Sequence, residues 1–246
     1  MNSLIKYSLI ILALGLGGCA GAPKQIHGET LQSDPWQNAN RNIYAFNKAI
    51  DKVVLSPVTK VYAAITPDPI ELAVENFFNN LSEVSHFANH LLQGKPALAV
   101  TDASRLLINS TVGIFGVIDV ASHFGLYSEA EDFGQTLGYW GVDSGPYVVL
   151  PFFGPSTIRD GASVLVDYQL DPLADYEPVS HRTGLQTLQV LDTRNQLQDV
   201  QELIIGDEYS FVRDAYLSRR AMQIRDGAPV AQTDDEYGDE EFDEFD

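Results

Sequence analysis

Apolar residues recur at helical spacing along most of this chain. Asp34-Pro35 reads as an N-cap followed by proline at the first helical position. Behind it Trp36, Ile43, Phe46, Ile50 and Val54 fall at steps of 7, 3, 4 and 4, which predicts a helix with one apolar face. A second helix is predicted from Pro57 to Ile65, stopping at Thr66-Pro67. A third runs from Pro69 to Leu92, with Leu72, Phe77, Leu81, Val84, Ala88 and Leu91 on one side, and ends before Gly94. Pro96 opens a fourth, carrying Leu98, Thr101, Leu106 and Ile108. Helical patterns return late in the chain. Thr183 to Ile205 places Leu185, Leu188, Leu191, Val200, Leu203 and Ile204, and Asp207 to Arg225 places Tyr209, Val212, Tyr216 and Ile224. Arg219 and Arg220 there suit the negative end of the helix dipole. The expectation is a predominantly helical, all-α fold in a single domain over residues 34–225, with no internal repeat.

The centre of the chain breaks this pattern. Thirteen uncharged residues separate Arg105 from Asp119, among them Val112-Gly113-Ile114-Phe115-Gly116-Val117-Ile118. Fifteen more separate Asp143 from Arg159, punctuated by Pro146, Pro151 and Pro155. A transmembrane helix needs at least about 17 apolar residues, and both runs are shorter and broken by Gly or Pro. Each reads either as a buried core segment or as one that enters a membrane surface without crossing it.

The N-terminus carries a different signal. Lys6 precedes ten mostly apolar residues, Tyr7 to Leu16, too short to span a hydrocarbon core of roughly 30 Å. The stretch ends in Leu16-Gly17-Gly18-Cys19, which resembles a lipobox, the cleavage and lipidation sequence of bacterial lipoproteins. Small residues admit the chain to a signal peptidase, and the Cys19 thiol is the nucleophile that receives diacylglycerol. The other reading is an ordinary secretory signal that happens to hold a cysteine. Cys19 is the sole cysteine, so a disulfide scaffold is excluded. One acyl chain holds a protein only marginally, at about 0.8 kcal/mol per buried CH₂; the three typical of bacterial lipoproteins make the anchor effectively permanent. Position 20 is Ala rather than Asp, which favours sorting to the outer membrane. Residues 1–18 thus read as a signal peptide, 19–33 as a lipidated polar tether, and 226–246 as a disordered acidic tail.

Charge and composition narrow the chemistry. The net charge is −19, or −20 without Lys6 and the rest of residues 1–18. Residues 234–246 carry nine Asp or Glu and no Lys or Arg, so the body from Cys19 to Thr233 stands near −11. An acidic body argues against nucleic acid as a partner. No nucleophile elbow, Walker A loop, dinucleotide fingerprint or C-x-x-C pair is present. The best metal candidate, Glu83, His86 and His90 on one helix face, has one Glu-x-x-His step where a di-iron bundle needs two, and reads better as a solvated or interfacial polar face. Ser180-His181 and Ser122-His123 are neighbours in sequence, which places no hydroxyl against an imidazole. No enzyme activity, metal or cofactor is implied.

Several linked motifs carry a resemblance. They begin with Asp34-Pro35, Asn40-Arg41, Tyr44-Ala45-Phe46-Asn47 and Asp51, and continue through Arg105, Asn109-Ser110-Thr111-Val112-Gly113 and Ile118-Asp119-Val120-Ala121. The most specific part is Glu131-Asp132-Phe133-Gly134-Gln135-Thr136-Leu137-Gly138, Gly141, and Gly145-Pro146-Tyr147-Val148-Val149-Leu150-Pro151-Phe152-Phe153-Gly154-Pro155-Ser156, with Arg159-Asp160 behind; Tyr209, Arg213 and Tyr216 follow. Over residues 34–220 the chain resembles the MlaA (VacJ) family of outer-membrane lipoproteins, loosely at 165–182 and not in the acidic tail.

That resemblance implies a mostly helical ring lying in the inner leaflet of the outer membrane of a Gram-negative bacterium, often beside trimeric porins. Its central amphipathic channel would let misplaced phospholipids leave the outer leaflet for a soluble periplasmic carrier resembling MlaC, and so maintain lipid asymmetry without covalent chemistry. In that context the apolar runs and their surroundings supply candidates for the lipid path or membrane contact. These are Asn109, Ser110, Gly113, Phe115, Gly116, Asp119, Gln135, Thr136, Gly138, Tyr147, Phe152 and Phe153, with Cys19 as the lipidation site. Membrane contact is then expected for at least part of Val112–Ile118 and Tyr147–Phe153. The competing functions are a porin-associated scaffolding lipoprotein without lipid transfer, and a lipid-modifying enzyme.

Overall fold

The computed structural model describes residues 34–197 and 206–227. The expectations for the signal peptide, Cys19, the tether, Val200 to Ile204 and the tail from residue 228 lie outside the described residues. Proline sets most helix starts. After α1 (Gln37–Ile50) and a π-helical turn (Asp51–Leu55), Pro57 sits in the first turn of α2 (Ser56–Ile65), which stops where Pro67 disfavours helix for its predecessor. Pro69 occupies the first turn of α3 (Asp68–Leu92), with Asp68 and Glu71 at the positive dipole end, and Pro96 opens α4 (Pro96–Thr111). A 3₁₀ turn (Ala121–Phe124) leads to α5 (Phe133–Tyr139), capped by Asp132, whose carboxylate accepts from the Gln135 N–H at 2.8 Å. The antiparallel hairpin of β1 (Tyr147–Leu150) and β2 (Gly154–Thr157) pairs Tyr147 with Thr157 and Leu150 with Gly154. Thr157 caps α6 (Ile158–Leu170); α7 (Val179–Gln196) and α8 (Glu208–Ile224) complete the described chain.

The fold is predominantly helical, as expected, and α1–α4 and α8 lie where the apolar spacing places them; α7 starts ahead of the predicted Thr183 and ends at Gln196, inside the predicted span. The hairpin, α5 and α6 have no counterpart in that spacing. The start of α1 also differs. Trp36, not Asp34, holds the N-cap position and makes no side-chain cap bond. Asp34 is used across the fold instead, accepting from Asn40 Nδ2 at 2.8 Å and from the Tyr209 hydroxyl.

Which face each helix buries is the larger departure. On α3 the fully buried side chains include Glu83, Asn89 and His90, while Leu72 and Leu91 of the apolar stripe are exposed. On α1 the buried residue is Asn40, with Phe46 outward, as are Trp36 ahead of it and Val53 and Val54 of the π turn; on α4 Asp102, Arg105 and Asn109 are buried while Val100 and Leu107 are exposed. The large exposed apolar surface this leaves is unfavourable in water, at about 25 cal/mol per Å².

The elements pack in a closed circuit. α1 lies on β1; α8 lies on β2 and α5; α5 packs on α6 and α3. α3 then carries α4 and α7, and α7 returns through α2 and the π turn to α1. Polar links close the seams: Arg41 meets Asp207 at 2.5 Å, and Arg194 Nε meets Asp51 at 2.6 Å. Among the described residues no helix is long and apolar enough to cross a membrane.

Candidate functional site

Three polar networks fill the interior. In the first, Glu83 Oε1 accepts from Arg105 Nε at 2.6 Å, and Arg105 Nη1 donates to the Leu126 carbonyl at 2.6 Å and to Ser122 at 3.1 Å. Asn109 donates to Asp119 at 3.0 Å and accepts from the Ala121 N–H at 2.9 Å. Burial pushes the Glu83 carboxyl up, but His86 and Arg105 outweigh it and hold the group below its usual range. Asp119 is likewise held low, against burial, by Ser122, Asn109 and Arg105.

The second network joins α3 to α5. Thr136 donates to Asn89 Oδ1 at 2.8 Å, and Gln93 Nε2 donates to Glu131 at 2.8 Å and Thr136 at 3.1 Å. His90 Nδ1 lies 2.6 Å from Asp102, both fully buried. The third is centred on Arg220, which reaches Asp132 at 2.6 Å and Asp160 at 2.9 Å; the Tyr216 hydroxyl also donates to Asp160 at 2.7 Å. Arg220 therefore serves Asp132 and the buried Asp160 rather than the end of its own helix dipole. Burial opposes charge on all three groups, yet the pairing wins: Arg220 is raised, and Asp132 and Asp160 are held below the usual carboxylate range.

Outside these networks two apolar projections stand free. After α4 the chain turns so that Val112, Ile114 and Phe115 point outward, Phe115 at 77% exposure. Ile114 and Phe115 adopt φ of 53° and 57°, a conformation costing side-chain-bearing residues about 1–3 kcal/mol each. Much of the turn's backbone is nonetheless bonded: Phe115 N donates to Ser110 O at 3.1 Å, Gly116 N to Asn109 O at 2.8 Å, and Ile118 N to Gly113 O at 2.9 Å. Gly116 has φ of 88°, and a Cβ there would lie 2.6 Å from Asn80. The second projection is the hairpin tip, where Phe152 and Phe153 are 74% and 75% exposed. Asn47 secures it, accepting from Phe152 N and donating to Leu150 O, each at 2.9 Å. Apolar side chains outside and bonded backbone inside are what a segment entering hydrocarbon requires.

The candidate residues thus fall into separate places. Asn109, Gly113, Phe115, Gly116 and Asp119 gather at the end of α4 with Ser110, which accepts from Asn80 Nδ2 at 2.9 Å. Gln135, Thr136 and Gly138 lie on α5, all buried; a Cβ on Gly138 would press on Ile224 and Arg159. Gln135 donates to the Ala130 carbonyl at 3.2 Å. Tyr147 is fully buried against Tyr209 and Tyr216, while Phe152 and Phe153 sit at the tip of the same hairpin. The structure does not gather the polar candidates around one opening; each is bonded to a neighbouring element. Glu83, His86 and His90 belong to buried networks rather than a solvated face, and among the described residues no His, Cys, Asp or Glu group is arranged to hold a metal ion.

Two features escape the spacing argument. Asn40 and Asn47, seven apart on α1, complete the open edge of β1: Asn40 donates to Tyr147 O at 3.0 Å and accepts from Val149 N at 2.9 Å. The signal for this is a pair of asparagines on one helix face next to an apolar stripe. The Arg220 network joins residues up to 88 apart, and no local pattern marks it.

The chain is similar to several proteins over most of its length. The chain is 36% identical to the intermembrane phospholipid transport system lipoprotein MlaA of Shigella flexneri, over 87% of this chain and 88% of that protein. It is 35% identical to the protein of the same name from Escherichia coli strain K12, with the same coverage, and 30% identical to that of Haemophilus influenzae over 94% of each. A solved structure from work on the structural basis for maintenance of bacterial outer membrane lipid asymmetry superposes with a TM-score of 0.69, at 33% identity. It covers 78% of this chain and 100% of the solved one. The family model for the MlaA lipoprotein matches residues 32–223, so this chain belongs to the MlaA lipoprotein family.

Proposed function

We propose that this protein works in intermembrane phospholipid transport, removing misplaced phospholipids from the outer leaflet of the outer membrane and so maintaining its lipid asymmetry. The observation that carries the reading is the inverted partition of the body, with charged networks buried and Phe115, Phe152, Phe153, Val53 and Val54 outward. A body built that way is matched to an apolar surrounding. The family membership and the names of its relatives support phospholipid transport as the task.

In this reading residues 1–18 are removed on export, acyl chains on Cys19 and the tether 19–33 hold the body of residues 34–225 in the periplasmic leaflet, and the tail 226–246 stays outside it. The apolar projections enter that leaflet. A trimeric porin stands beside the body, and a soluble periplasmic carrier collects the lipid. The protein binds and releases phospholipid without making or breaking covalent bonds.

Deleting the gene and measuring phospholipid in the outer leaflet tests this directly. Phospholipid should rise there, and the intact gene should lower it again. Unchanged asymmetry would leave the protein a porin-bound scaffold. Release of lysolipid or fatty acid from labelled phospholipid by the purified protein would make it an enzyme.

A further inference from the structure

A cavity of about 240 Å³ lies between α3, α6 and α7 and the segment ahead of α5. At about 30 Å³ per water it has room for one small polar head group and none for acyl chains. Four carboxylates face it: Glu131, Asp132, Asp167 and Asp171. Two already have a cation, since Lys95 Nζ lies 3.3 Å from Glu131 and Arg220 Nη1 2.6 Å from Asp132. Asp167 and Asp171 have no ion-pair partner among the described residues. Their oxygens accept only from neutral donors, Phe133 N at 2.8 Å and Ser163 Oγ at 3.4 Å on Asp167, and Leu173 N at 2.8 Å on Asp171. Burial, reinforced by Asp132, pushes the Asp167 carboxyl up to about 6. The cavity is short of positive charge.

Its α3 wall presents neutral side chains and one imidazole. Ser85 Oγ accepts from Asn89 at 3.3 Å and keeps its own hydrogen to donate. His86 stands beside it. Behind the lining, two fully buried atoms have no hydrogen-bond partner. Glu83 Oε2 faces His86 Nδ1 at 3.6 Å, and His90 Nε2 faces Glu131 Oε1 at 3.9 Å. Buried polar atoms are seldom left so, and both point at residues of the cavity wall.

We propose that this cavity receives the head group of a phospholipid bearing a primary ammonium, with Asp167 and Asp171 accepting from the ammonium and Ser85 and His86 facing the phosphate. The inference rests on the lipid-transfer reading and adds a preference to it. A head group without a cation leaves both carboxylates unpaired, and a trimethylated one neutralises them without donating hydrogen bonds.

The test uses the full-length lipoprotein in neutral detergent, titrated calorimetrically with dihexanoyl phosphatidylethanolamine, phosphatidylcholine and phosphatidylglycerol. The ethanolamine lipid should bind about tenfold tighter than the glycerol lipid, the scale of one charge-assisted hydrogen bond, with the choline lipid between them. Asp167→Asn and Asp171→Asn should each lower that ratio without weakening the glycerol lipid. Equal binding of the ethanolamine and glycerol lipids, or a ratio that survives both substitutions, overturns the proposal and leaves lipid transfer standing. A choline lipid matching the ethanolamine lipid overturns the hydrogen-bonded ammonium. If none of the three binds, the lipid-transfer reading falls with it.

Discussion

Asn40→Ala tests whether α1 holds the hairpin in place. The Asn40 amide makes three bonds: to Asp34 Oδ1 at 2.8 Å, to Tyr147 O at 3.0 Å, and from Val149 N at 2.9 Å. Asn40 is 3% exposed and Val149 2%, so water reaches neither β1 group freely. Nor can β2 take over, because Val149 N and Tyr147 O lie on the edge of β1 that faces α1, away from β2. Each buried group left unpaired costs about 1–3 kcal/mol. Relaxation around the smaller side chain recovers part of that, so the net loss is about 3 kcal/mol. For a domain of this size that lowers Tm by about 6–12 °C. Asn42→Ala, two positions along on the exposed face, removes no such bond and should stay within about 0.5 kcal/mol. Melting all three proteins in one detergent gives the comparison, and amide exchange at Val149 locates the damage. If Asn40→Ala melts with the parent and Val149 remains protected, the amide is ornamental and the hairpin is held some other way.

Arg220→Met should cost about 3 kcal/mol, the low end for a broken buried pair, because Asp132 loses its cation at a partly exposed position while Asp160 keeps Arg159 Nε at 3.1 Å. Both carboxyls are held low in the fold, so their contribution is present above the ordinary carboxylate range and lost as pH falls through their folded values. Parent stability should therefore drop in strong acid, and the variant's melting curve should show a shallower drop. Asp167 carries the opposite sign. Its carboxyl is raised to about 6, so the folded state holds its proton more firmly and this group costs stability once ionised above that pH. Asp167→Asn should raise Tm at pH 7.5, by about 2 kcal/mol of stability, and make little difference near pH 4; a lower Tm at pH 7.5 would contradict the assignment. Phe152→Asp alters an exposed tip whose ring contact is an edge-to-face pair with Phe46 at 5.5 Å. Stability in detergent should fall by no more than about 1.5 kcal/mol, while outer-leaflet phospholipid should rise as in a deletion.

Periodicity located the long helices because it depends on local spacing, and proline marked their starts. The short elements depend on more distant partners. The hairpin's outer edge is completed by Asn40 and Asn47 on α1, about a hundred positions earlier, and α5 begins at a cap whose carboxylate is also held by Arg220. Neither dependence leaves a pattern within a window of eleven to eighteen residues. Among the candidates, the apolar ones were legible by type and run length. The polar ones were legible as residues of consequence but not in their contacts: Asn109 joins Asp119 to Ala121, and Thr136 joins Asn89 to Gln93.

Spacing reports that a helix has two faces; it does not report which face meets solvent. The usual assignment, apolar side inward, assumes water outside. On α3 that assumption would place Leu72 and Leu91 in the core and leave Glu83 and His90 outside, and the structure has them the other way round. The inversion is sustainable only if the buried charges are matched and the outer surface is not facing water. The first condition holds in the pairing of Glu83 with Arg105 and of Arg220 with two carboxylates, and His90 is hydrogen-bonded to Asp102. The second is what the proposed membrane position would supply, and it can be tested. Stability in water alone should be poor, and amphiphile should raise it by covering Phe115, Val53 and the hairpin tip. A melting series across the critical micelle concentration of one neutral detergent decides the matter. A sharp gain in Tm at micelle formation agrees with an apolar surrounding, whereas a flat series means these side chains are tolerated in water and the inverted body has no bearing on where the protein sits.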